Sequence, residues 1–506
     1  MTRPHHLTST PLVVVAGWLT DAGHEARVEG LLDDAAEVEI SGITLSSQRV
    51  HPGDLYAALP GTRVHGIDFA ATALVGGAVA LLTDEDGAAR RPDGVPAVVV
   101  DRPRAVLGLL AAHLYGDPAT SMRMIGVTGT QGKTTTTRLA EAGLQAAGTC
   151  AAVVGTVGTR IAGDDVKTSL TTPEAPDLHG LFAVMRERGV EVCAMEVSSH
   201  ALVMGRVDGV VFDLAVFLNL GRDHLDFHSD VEDYYRAKAS LFTPDRARRA
   251  LINIDDEHGR RLADEVRIPV RTFSMRDVSA DWLAIDVALE REGSTFTIVG
   301  PDGVRVPAGV SLPGGFNVAN ALAAVASAAE VGFDAGAVAR GIAASGGVPG
   351  RLERVDAGQD FLLVVDYAHK PDAVEAAIAA LRPLTSGKVI VVLGAGGDRD
   401  PGKRPIMAGI AARLADLLVV TDDNPRTEDP ATIRAAMLAG THNGPGGDVV
   451  EIGDRRAAIE HAISVAVTGD VVLVAGKGHE TGQEIQGVVH DFDDRVVARE
   501  TLERGR

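Results

Sequence analysis

The sequence predicts an α/β protein of three domains: a mixed α/β domain over residues 1–120, a parallel-sheet domain over 121–348 and a doubly wound domain over 349–506. Three observations carry this. A chain of 506 residues exceeds what one ordinary core holds. From about residue 120 onward, short β-rich runs alternate with amphipathic helices, the pattern of a parallel sheet with helical crossovers. Gly346-Gly347-Val348-Pro349-Gly350 interrupts that pattern and marks a linker, because glycine and proline both break regular structure.

Taken in order, the first ten residues read as a disordered tail. Residues 11–19 are apolar like the middle of a signal peptide, but Asp21 follows and no small-residue cleavage pattern is evident. Residues 66–83 read as a helix entering a buried strand. Residues 309–329 lack charge, yet Pro313, Gly314, Gly315, Asn317 and Asn320 argue against a membrane span. Beyond the linker, four helices (372–382, 405–415, 431–439 and 455–467) each connect two strands. No internal repeat of solenoid length is present.

Hydrophobic residues make up 45% of the chain but aromatics only 4%, so alanine, glycine and valine must carry the packing. The net charge of −21 argues against nucleic acid or an anionic membrane as the main partner. Cys150 and Cys193 each lie beside an apolar run and read as small buried residues rather than a disulfide, which suits the cytoplasm.

Gly129-Thr130-Gln131-Gly132-Lys133-Thr134-Thr135 stands between the predicted strand 124–128 and a helix whose Leu139, Ala140, Gly143, Leu144 and Ala147 recur at helical spacing until Gly148. Such a loop closes backbone N–H groups around phosphate oxygens at a helix N-terminus, with Lys133 reaching the outer phosphates. Thr134 offers a hydroxyl to Mg²⁺. The spacing departs from the common form, since Val127 replaces the first glycine, and read alone the segment also fits a glycine turn beside a surface lysine. In its strand–helix context it points to a nucleoside triphosphate and a P-loop ATPase-like central domain.

Six polar clusters follow predicted strands: Ser198-Ser199-His200, Asn219 to His224, Asp366-Tyr367-Ala368-His369, Gly394 to Arg399, Asp422-Asp423-Asn424-Pro425-Arg426 and Gly476-Lys477-Gly478-His479-Glu480. Open α/β sheets bind ligands at the carboxyl ends of their strands, so these clusters can form a site. Glu196 and His224 fall past what read as neighbouring strand ends. A carboxylate there is a natural Mg²⁺ ligand and an imidazole a less usual one; both residues also fit ordinary caps. Lys238, read alone, fits a solvated lysine on a helix over 235–241.

Together these motifs, with Tyr235-Arg236-Ala237-Lys238 and Gly315 to Asn320, resemble the Mur ligases of peptidoglycan synthesis, and within them the ligases that add the third amino acid. The resemblance covers the chain from about residue 40. Gln131, where the family often has asparagine, and Met204, where relatives can place a glutamine, are departures. It implies an N-terminal UDP-sugar domain, a central ATP domain and a Rossmann-like amino-acid domain. It implies transfer of the ATP γ-phosphate to the D-Glu carboxylate of UDP-N-acetylmuramoyl-L-Ala-D-Glu, then attack of an amine on the acyl phosphate. Lys133 and Mg²⁺ would offset the charge of the two anions brought together. By the same resemblance Thr134 and Glu196 hold the nucleotide's Mg²⁺, and Glu196 with His224 helps hold a second.

The lysine matching Lys238 is carbamylated by CO₂ in this family, giving oxygen donors where an ammonium would repel the metal. Asn317, Asn320, Arg351 and Asp366 would complete the ATP site; Asp366 alone also fits a helix cap. If two domains share one ATP, binding favours a closed arrangement. Leu45, Ser47, Thr171, Thr172, Ser198 and Arg206 align with contacts to the UDP-muramoyl substrate. Asp423-Asn424-Pro425-Arg426 goes with meso-diaminopimelate, whose distal carboxylate suits a guanidinium, while Asp423, Asn424 and Glu480 accept from its ammonium and Arg399 and Gly476 complete the pocket. Read alone, Asn-Pro-Arg fits a turn. His200 and His479 are both candidates for taking the amine's proton. The competing readings are folylpolyglutamate synthase, against which the first domain and the Asn-Pro-Arg element argue, and a nucleotide-dependent switch, which needs no amino-acid pocket. A monomer is expected.

Overall fold

The computed structural model describes residues 3–6, 8–30, 38–224, 227–441 and 446–505. They fall into two compact units, one of Met1–Gly129, Gly148–Asn219 and His224–Thr272, the other of Thr130–Ala147, Leu220–Asp223 and Phe273–Arg506.

The first unit holds two sheets. In the N-terminal one the order is Ala26–Glu29, Ala97–Val100, Ala78–Thr83, Asp54–Ala57 and Gly42–Thr44, antiparallel at the first pair and parallel thereafter. The apolar run 11–19 is part of the helix Leu12–Asp21, which buries Leu12, Val15, Ala16 and Leu19 on one face. That spacing is the stripe of an amphipathic helix packed on a sheet. The predicted helix-to-strand segment is the helix Ala70–Val75, after a short 3₁₀ turn, leading into Ala78–Thr83.

The tail differs from expectation where it is described (Met1, Thr2 and Leu7 lie outside the described residues). The Arg3 guanidinium pairs at 2.5 and 2.6 Å with both oxygens of the fully buried Asp54. The backbone N–H groups of His5 and His6 donate to Glu187 at 2.9 and 2.8 Å. A buried carboxylate requires a charged partner, and the N-terminal arm supplies it.

The second sheet of this unit runs Asp164–Val166, Gly158–Ile161, Ala151–Gly155, Val192–Glu196, Arg123–Thr128, Leu214–Phe217 and Ala250–Asn253, with its last five strands parallel. The strand Arg123–Thr128 thus lies between Val192–Glu196 and Leu214–Phe217. The strands leading to Glu196 and to His224 are therefore not neighbours; the strand before the phosphate loop separates them.

In the second unit the helix Lys133–Ala146 packs on the alanine-rich helices Gly315–Glu330 and Ala335–Ala344. The uncharged run 309–329 is the end of the strand Arg305–Val310 and most of the helix Gly315–Glu330. Among the described residues no helix is long and apolar enough to cross a membrane. Trp282–Glu290, Gly293–Val299 and Arg305–Val310 form an antiparallel meander, a departure from the parallel pattern expected there.

The last sheet has the order Glu353–Arg354, Leu362–Asp366, Val471–Ala475, Val389–Leu393, Leu417–Val420 and Asp448–Glu451, parallel except at its first strand. Helices Pro371–Leu381, Lys403–Leu414 and Pro430–Leu438 cover one face, and Arg455–Val465 and Asp494–Arg504 the other. The expected four helices are all present, but two of them connect through the strand Asp448–Glu451, which the sequence reading does not include.

Candidate active site

The phosphate loop begins at Gly129, with φ of 154°, and ends at Gly132, with φ of 86°, directly before the helix starts at Lys133. A positive φ at Gly132 lets the chain turn sharply into the helix, whose N-terminal end favours an anion. Within the second unit, Lys133 Nζ donates to the Thr130 carbonyl at 3.1 Å. Gln131 is exposed, and Thr134 and Thr135 are buried.

Arg351 Nη2 donates to Thr134 Oγ1 at 3.1 Å, and its guanidinium lies 4.6 Å from the centroid of the Tyr367 ring. Asn320 and Asn317 are buried: Asn320 Oδ1 is 3.4 Å from Thr136 Oγ1, Asn320 Nδ2 donates to Asn317 Oδ1 at 3.2 Å, and Asn317 Nδ2 donates to the Pro313 carbonyl at 2.8 Å. The second unit thus gathers Lys133, Thr134, Arg351, Asn317 and Asn320 around one helix N-terminus. Asp366, at the end of its strand, accepts from the N–H groups of Leu352 at 2.7 Å and Ala368 at 2.8 Å. Burial raises its carboxyl above the usual range, while the Arg351 charge and those two donors oppose the rise.

In the first unit Glu196 is buried at the end of its strand. One of its oxygens accepts from Thr156 N at 2.8 Å and the other from Thr156 Oγ1 at 3.1 Å. Thr171 Oγ1 is 3.0 Å from Thr156 Oγ1; Thr172 Oγ1 donates to the Glu196 carbonyl and accepts from Ser198 N. Ser198 Oγ caps the helix Ser199–Val203. Thr171, Thr172, Ser198 and Glu196 therefore form one bonded group, which includes Thr156, a residue the sequence reading does not single out. Arg206 Nε donates to Glu174 at 2.9 Å and its Nη1 to the Thr172 carbonyl at 3.3 Å. Leu45 and Ser47 are half-buried just past the strand Gly42–Thr44 of the N-terminal sheet.

Lys238 is not a solvated lysine. It is 1% exposed on the helix Val231–Ala239, its Nζ donates to the Gly129 carbonyl at 2.9 Å, and it stands 4.4 Å from the centroid of the Tyr234 ring. His224 has φ of 53°, a left-handed conformation costing about 1 kcal/mol for a residue with a side chain, of the kind found at functional sites. Its ring centroid is 4.7 Å from that of His200, which stacks on Phe227 at 4.0 Å.

The last sheet places four of the polar clusters side by side, because the strands before Asp366, Gly476, Gly394 and Thr421 are consecutive in it. Asp423 is buried; Oδ1 accepts from Asn424 N at 2.7 Å, and Oδ2 is buried with no hydrogen-bond partner. Gly476 has φ of 118°, and a Cβ there would lie 2.5 Å from that oxygen, so only glycine leaves space beside it. Asn424 Nδ2 donates to Glu480 Oε2 at 2.8 Å. Arg426, with φ of 52°, donates through Nη1 to the Gly397 carbonyl at 2.7 Å, and its Nε is 3.5 Å from Glu484 Oε2. Pro425 is buried between Asn424 and Arg426, and Arg399 is exposed. His479 and Tyr367 have ring centroids 5.1 Å apart.

Two residues outside the expected set hold this cluster. Lys477 is fully buried and donates to Asn424 Oδ1 at 3.0 Å, Glu480 Oε2 at 3.2 Å and the Gly482 carbonyl at 2.6 Å. Arg455 makes a two-pronged, fully buried pair with Asp494, both bonds 2.7 Å, and also donates to the carbonyls of Asp422 and Ala475. Lys477 lies inside a visible motif; for Arg455, a residue of an ordinary helix, no local signal exists.

Comparison with known proteins bears on this geometry. Three family models match: Mur ligase family, catalytic domain, over residues 39–115; Mur ligase middle domain over 127–328; and Mur ligase, glutamate ligase domain, over 350–478. The UDP-N-acetylmuramoyl-L-alanyl-D-glutamate--2,6-diaminopimelate ligase of Streptomyces avermitilis is 54% identical over 99% of this chain and 98% of its own. The ligase of that name from Corynebacterium efficiens is 49% identical over 99% and 97%. A solved structure bearing the same ligase name has a TM-score of 0.65 at 35% identity, over 92% of this chain and 95% of that one.

Proposed function

Because the chain belongs to the Mur ligase family, we propose that it joins meso-2,6-diaminopimelate to the D-Glu carboxylate of UDP-N-acetylmuramoyl-L-Ala-D-Glu at the expense of ATP, in peptidoglycan precursor synthesis. The observation that carries the amino-acid assignment is Asp423 Oδ2, buried and unpartnered beside Gly476, in a cluster that also holds Asn424, Glu480 and Arg426. An orphaned carboxylate oxygen costs about 1–3 kcal/mol or more until a donor reaches it, and an ammonium is the natural donor. A guanidinium beside it suits the carboxylate on the same carbon.

The division of labour follows the three predicted domains, with the sugar nucleotide held by 1–120, ATP by 121–348 and the amino acid by 349–506. Lys133 and the helix N-terminus draw in the β- and γ-phosphates. The γ-phosphoryl group passes to the D-Glu carboxylate; the amine then attacks the carbonyl carbon, and phosphate leaves as the amide forms. His200 and His479 both stay candidates for the proton that the amine loses. Leu45, Ser47, Thr171, Thr172, Ser198 and Arg206 are assigned to the UDP-muramoyl substrate, with Arg206 exchanging its Glu174 partner for a substrate anion.

Mg²⁺ fits the residues present. In the second unit Thr134 offers a hydroxyl, and in the first Glu196 offers a carboxylate with lone pairs left beyond the Thr156 bonds; each is a hard oxygen of the kind that suits an ion bound chiefly through nucleotide phosphates and water. His224 is assigned, with Glu196, to a second Mg²⁺, and Lys238 to the same group of metal ligands. When bound, the ion supplies charge neutralisation between ATP and the carboxylate. Lys238 joins the set through carbamylation. Its ammonium gives up one proton, the amine adds to the carbon of CO₂ to form an N–C bond, and a second proton leaves the nitrogen, so that one N–H remains able to keep the Gly129 bond. We place the protein in the cytoplasm as a monomer.

Phosphate release measured with and without the muramoyl dipeptide and meso-diaminopimelate tests this reading. Release that requires both supports it. Release indifferent to the amine supports a nucleotide switch instead.

A further inference from the structure

Ser199, His228 and Asp233 form a hydrogen-bonded line in the first unit. His228 Nε2 is 2.9 Å from Ser199 Oγ, and its Nδ1 is 3.2 Å from Asp233 Oδ2. A carboxylate only accepts, so Nδ1 carries a proton toward Asp233, and Nε2 is left for the Ser199 hydroxyl. The order serine–histidine–aspartate is that of a nucleophilic triad, but Ser199 is 1% and His228 2% exposed, so no substrate reaches the hydroxyl.

What the line does is join three segments. Ser199 opens the helix Ser199–Val203, three residues after Glu196. His228 N donates to the His224 carbonyl at 2.8 Å. Asp233 is in the first turn of the helix Val231–Ala239, and its Oδ2 also accepts from Ser229 N at 3.2 Å. The face of the imidazole continues the chain of contacts: Tyr234 packs 5.0 Å from it, and Lys238 Nζ stands over Tyr234.

We propose that His228 is a positioning residue for the ligase reaction, its imidazole fixing the segments that carry Glu196, His224 and Lys238 relative to one another. The inference rests on the ligase reading above. A site of this kind must hold its groups within about 0.5 Å, and a misplacement of about 1 Å can cost 10²-fold in rate.

The test compares wild type with His228→Ala, His228→Asn, Ser199→Ala and Asp233→Asn in the full chain. For His228→Ala we expect kcat lower by about 100-fold, with KM for meso-diaminopimelate, whose pocket lies in the other unit, within about twofold of wild type. A readout independent of turnover is the ¹³C resonance of carbamate formed from labelled bicarbonate: half-maximal intensity should require about tenfold more bicarbonate in the variant, an expectation scaled to loss of one positioning bond of about 1.4 kcal/mol. His228→Asn, which can keep the bond to Asp233, should lose less. Ser199→Ala and Asp233→Asn should combine less than multiplicatively, because both act through one ring. If His228→Ala fails to fold, Asp233→Asn at the half-exposed end of the line carries the test, with an expected tenfold loss of kcat in folded protein. Unchanged kcat and carbamate occupancy in a folded variant would overturn the proposal while an active wild type left the ligase reading standing. An inactive wild type would instead sink the ligase reading, and the carbamate comparison would still judge the positioning role.

Discussion

Lys238 Nζ donates to the carbonyl oxygen of Gly129 at 2.9 Å, so a buried lysine is tied to the first residue of the phosphate loop. Burying a lysine stem and head there has a desolvation cost that surface lysines never meet. Lys238→Ala should therefore reduce turnover by several orders of magnitude while the fold persists. A small added carboxylate such as formate or acetate should restore part of the rate by standing in for the proposed carbamate. Steady-state kinetics with and without the additive check this, and an unmodified ammonium in the Mg²⁺–ATP complex would refute the carbamate assignment.

Asp366 accepts from the Leu352 and Ala368 N–H groups, and Arg351, next to Leu352, donates to Thr134, so both belong to the ATP site proposed for the second unit. Asp366→Ala removes a proposed ribose acceptor and frees two N–H donors. We expect ATP affinity to fall by roughly tenfold, corresponding to a net charged hydrogen bond of about 1.5–3 kcal/mol less what water restores. Calorimetric titration with a non-hydrolysable ATP analogue measures it, and an unchanged Kd would remove Asp366 from the ATP site.

Arg455 and Asp494 are both fully buried, and Arg455 also holds the Asp422 and Ala475 carbonyls at the strand ends that lead to Asp423 and Gly476. Removing one partner of such a pair typically costs about 3–5 kcal/mol, because the other charge stays buried. Asp494→Ala should lower the unfolding midpoint by several degrees and raise KM for diaminopimelate more than KM for ATP. Equal stability in denaturant titrations would show that the pair is not integral to the fold.

His179 should make the protein's stability fall at acid pH. It is fully buried; Nε2 donates to the Asp208 carbonyl at 3.0 Å, and Nδ1 is buried without a partner. Burial pushes its pKa down from 6.5 to about 4, the Asp208 carbonyl opposing. The unfolded chain therefore takes up the proton first as pH falls, and stability is full above about pH 6.5 and lost progressively toward pH 4, on the order of 3 kcal/mol from this group. His369 is likewise pushed to about 4, by burial and then by the charge of Lys370, and adds a loss of the same sign. Unfolding midpoints at pH 7 and pH 5 should differ by less in His179→Gln than in wild type; an identical pH slope would contradict the assignment.

Strands 389–393 and 471–475 are visible in the sequence because buried parallel strands read as unbroken apolar runs. Asp448–Glu451 is not, since an edge strand with two central valines and charged ends carries no such run. The polar residues at and just past the ends of the visible strands are equally legible, which is why Glu196, Asp366 and Asp423 stand out. The order of strands is a long-range property, and it places the strand before the loop between those leading to Glu196 and His224. Bonds that span the chain, such as Thr156 to Glu196, Arg351 to Thr134 and Arg455 to Asp494, leave no local periodicity to read.

Arg426 should make the enzyme choose meso-diaminopimelate over L-lysine. Its backbone is held in a left-handed turn by Arg426 N donating to the Glu484 carbonyl and Gln486 N donating to the Arg426 carbonyl, so the guanidinium is presented from a fixed base. One N–H group is taken by the Gly397 carbonyl and Nε faces Glu484 Oε2 at 3.5 Å, which leaves the remaining donors of the fork to meet a substrate carboxylate. Lysine shares the amine and the aliphatic stem but has no distal carboxylate, so it leaves those donors desolvated and unpaired. Sites built around such a polar contact reject the analogue lacking it by roughly 10⁴-fold. Arg426→Ala should cost diaminopimelate most of its kcat/KM and leave the small lysine activity little changed. Arg426→Lys should rescue poorly, because an ammonium cannot reproduce a two-pronged bond and the Gly397 anchor would be lost with it. The measurement is kcat/KM for both amino acids in wild type and both variants; comparable wild-type values for lysine and diaminopimelate would overturn this role for Arg426 without touching the ligase assignment.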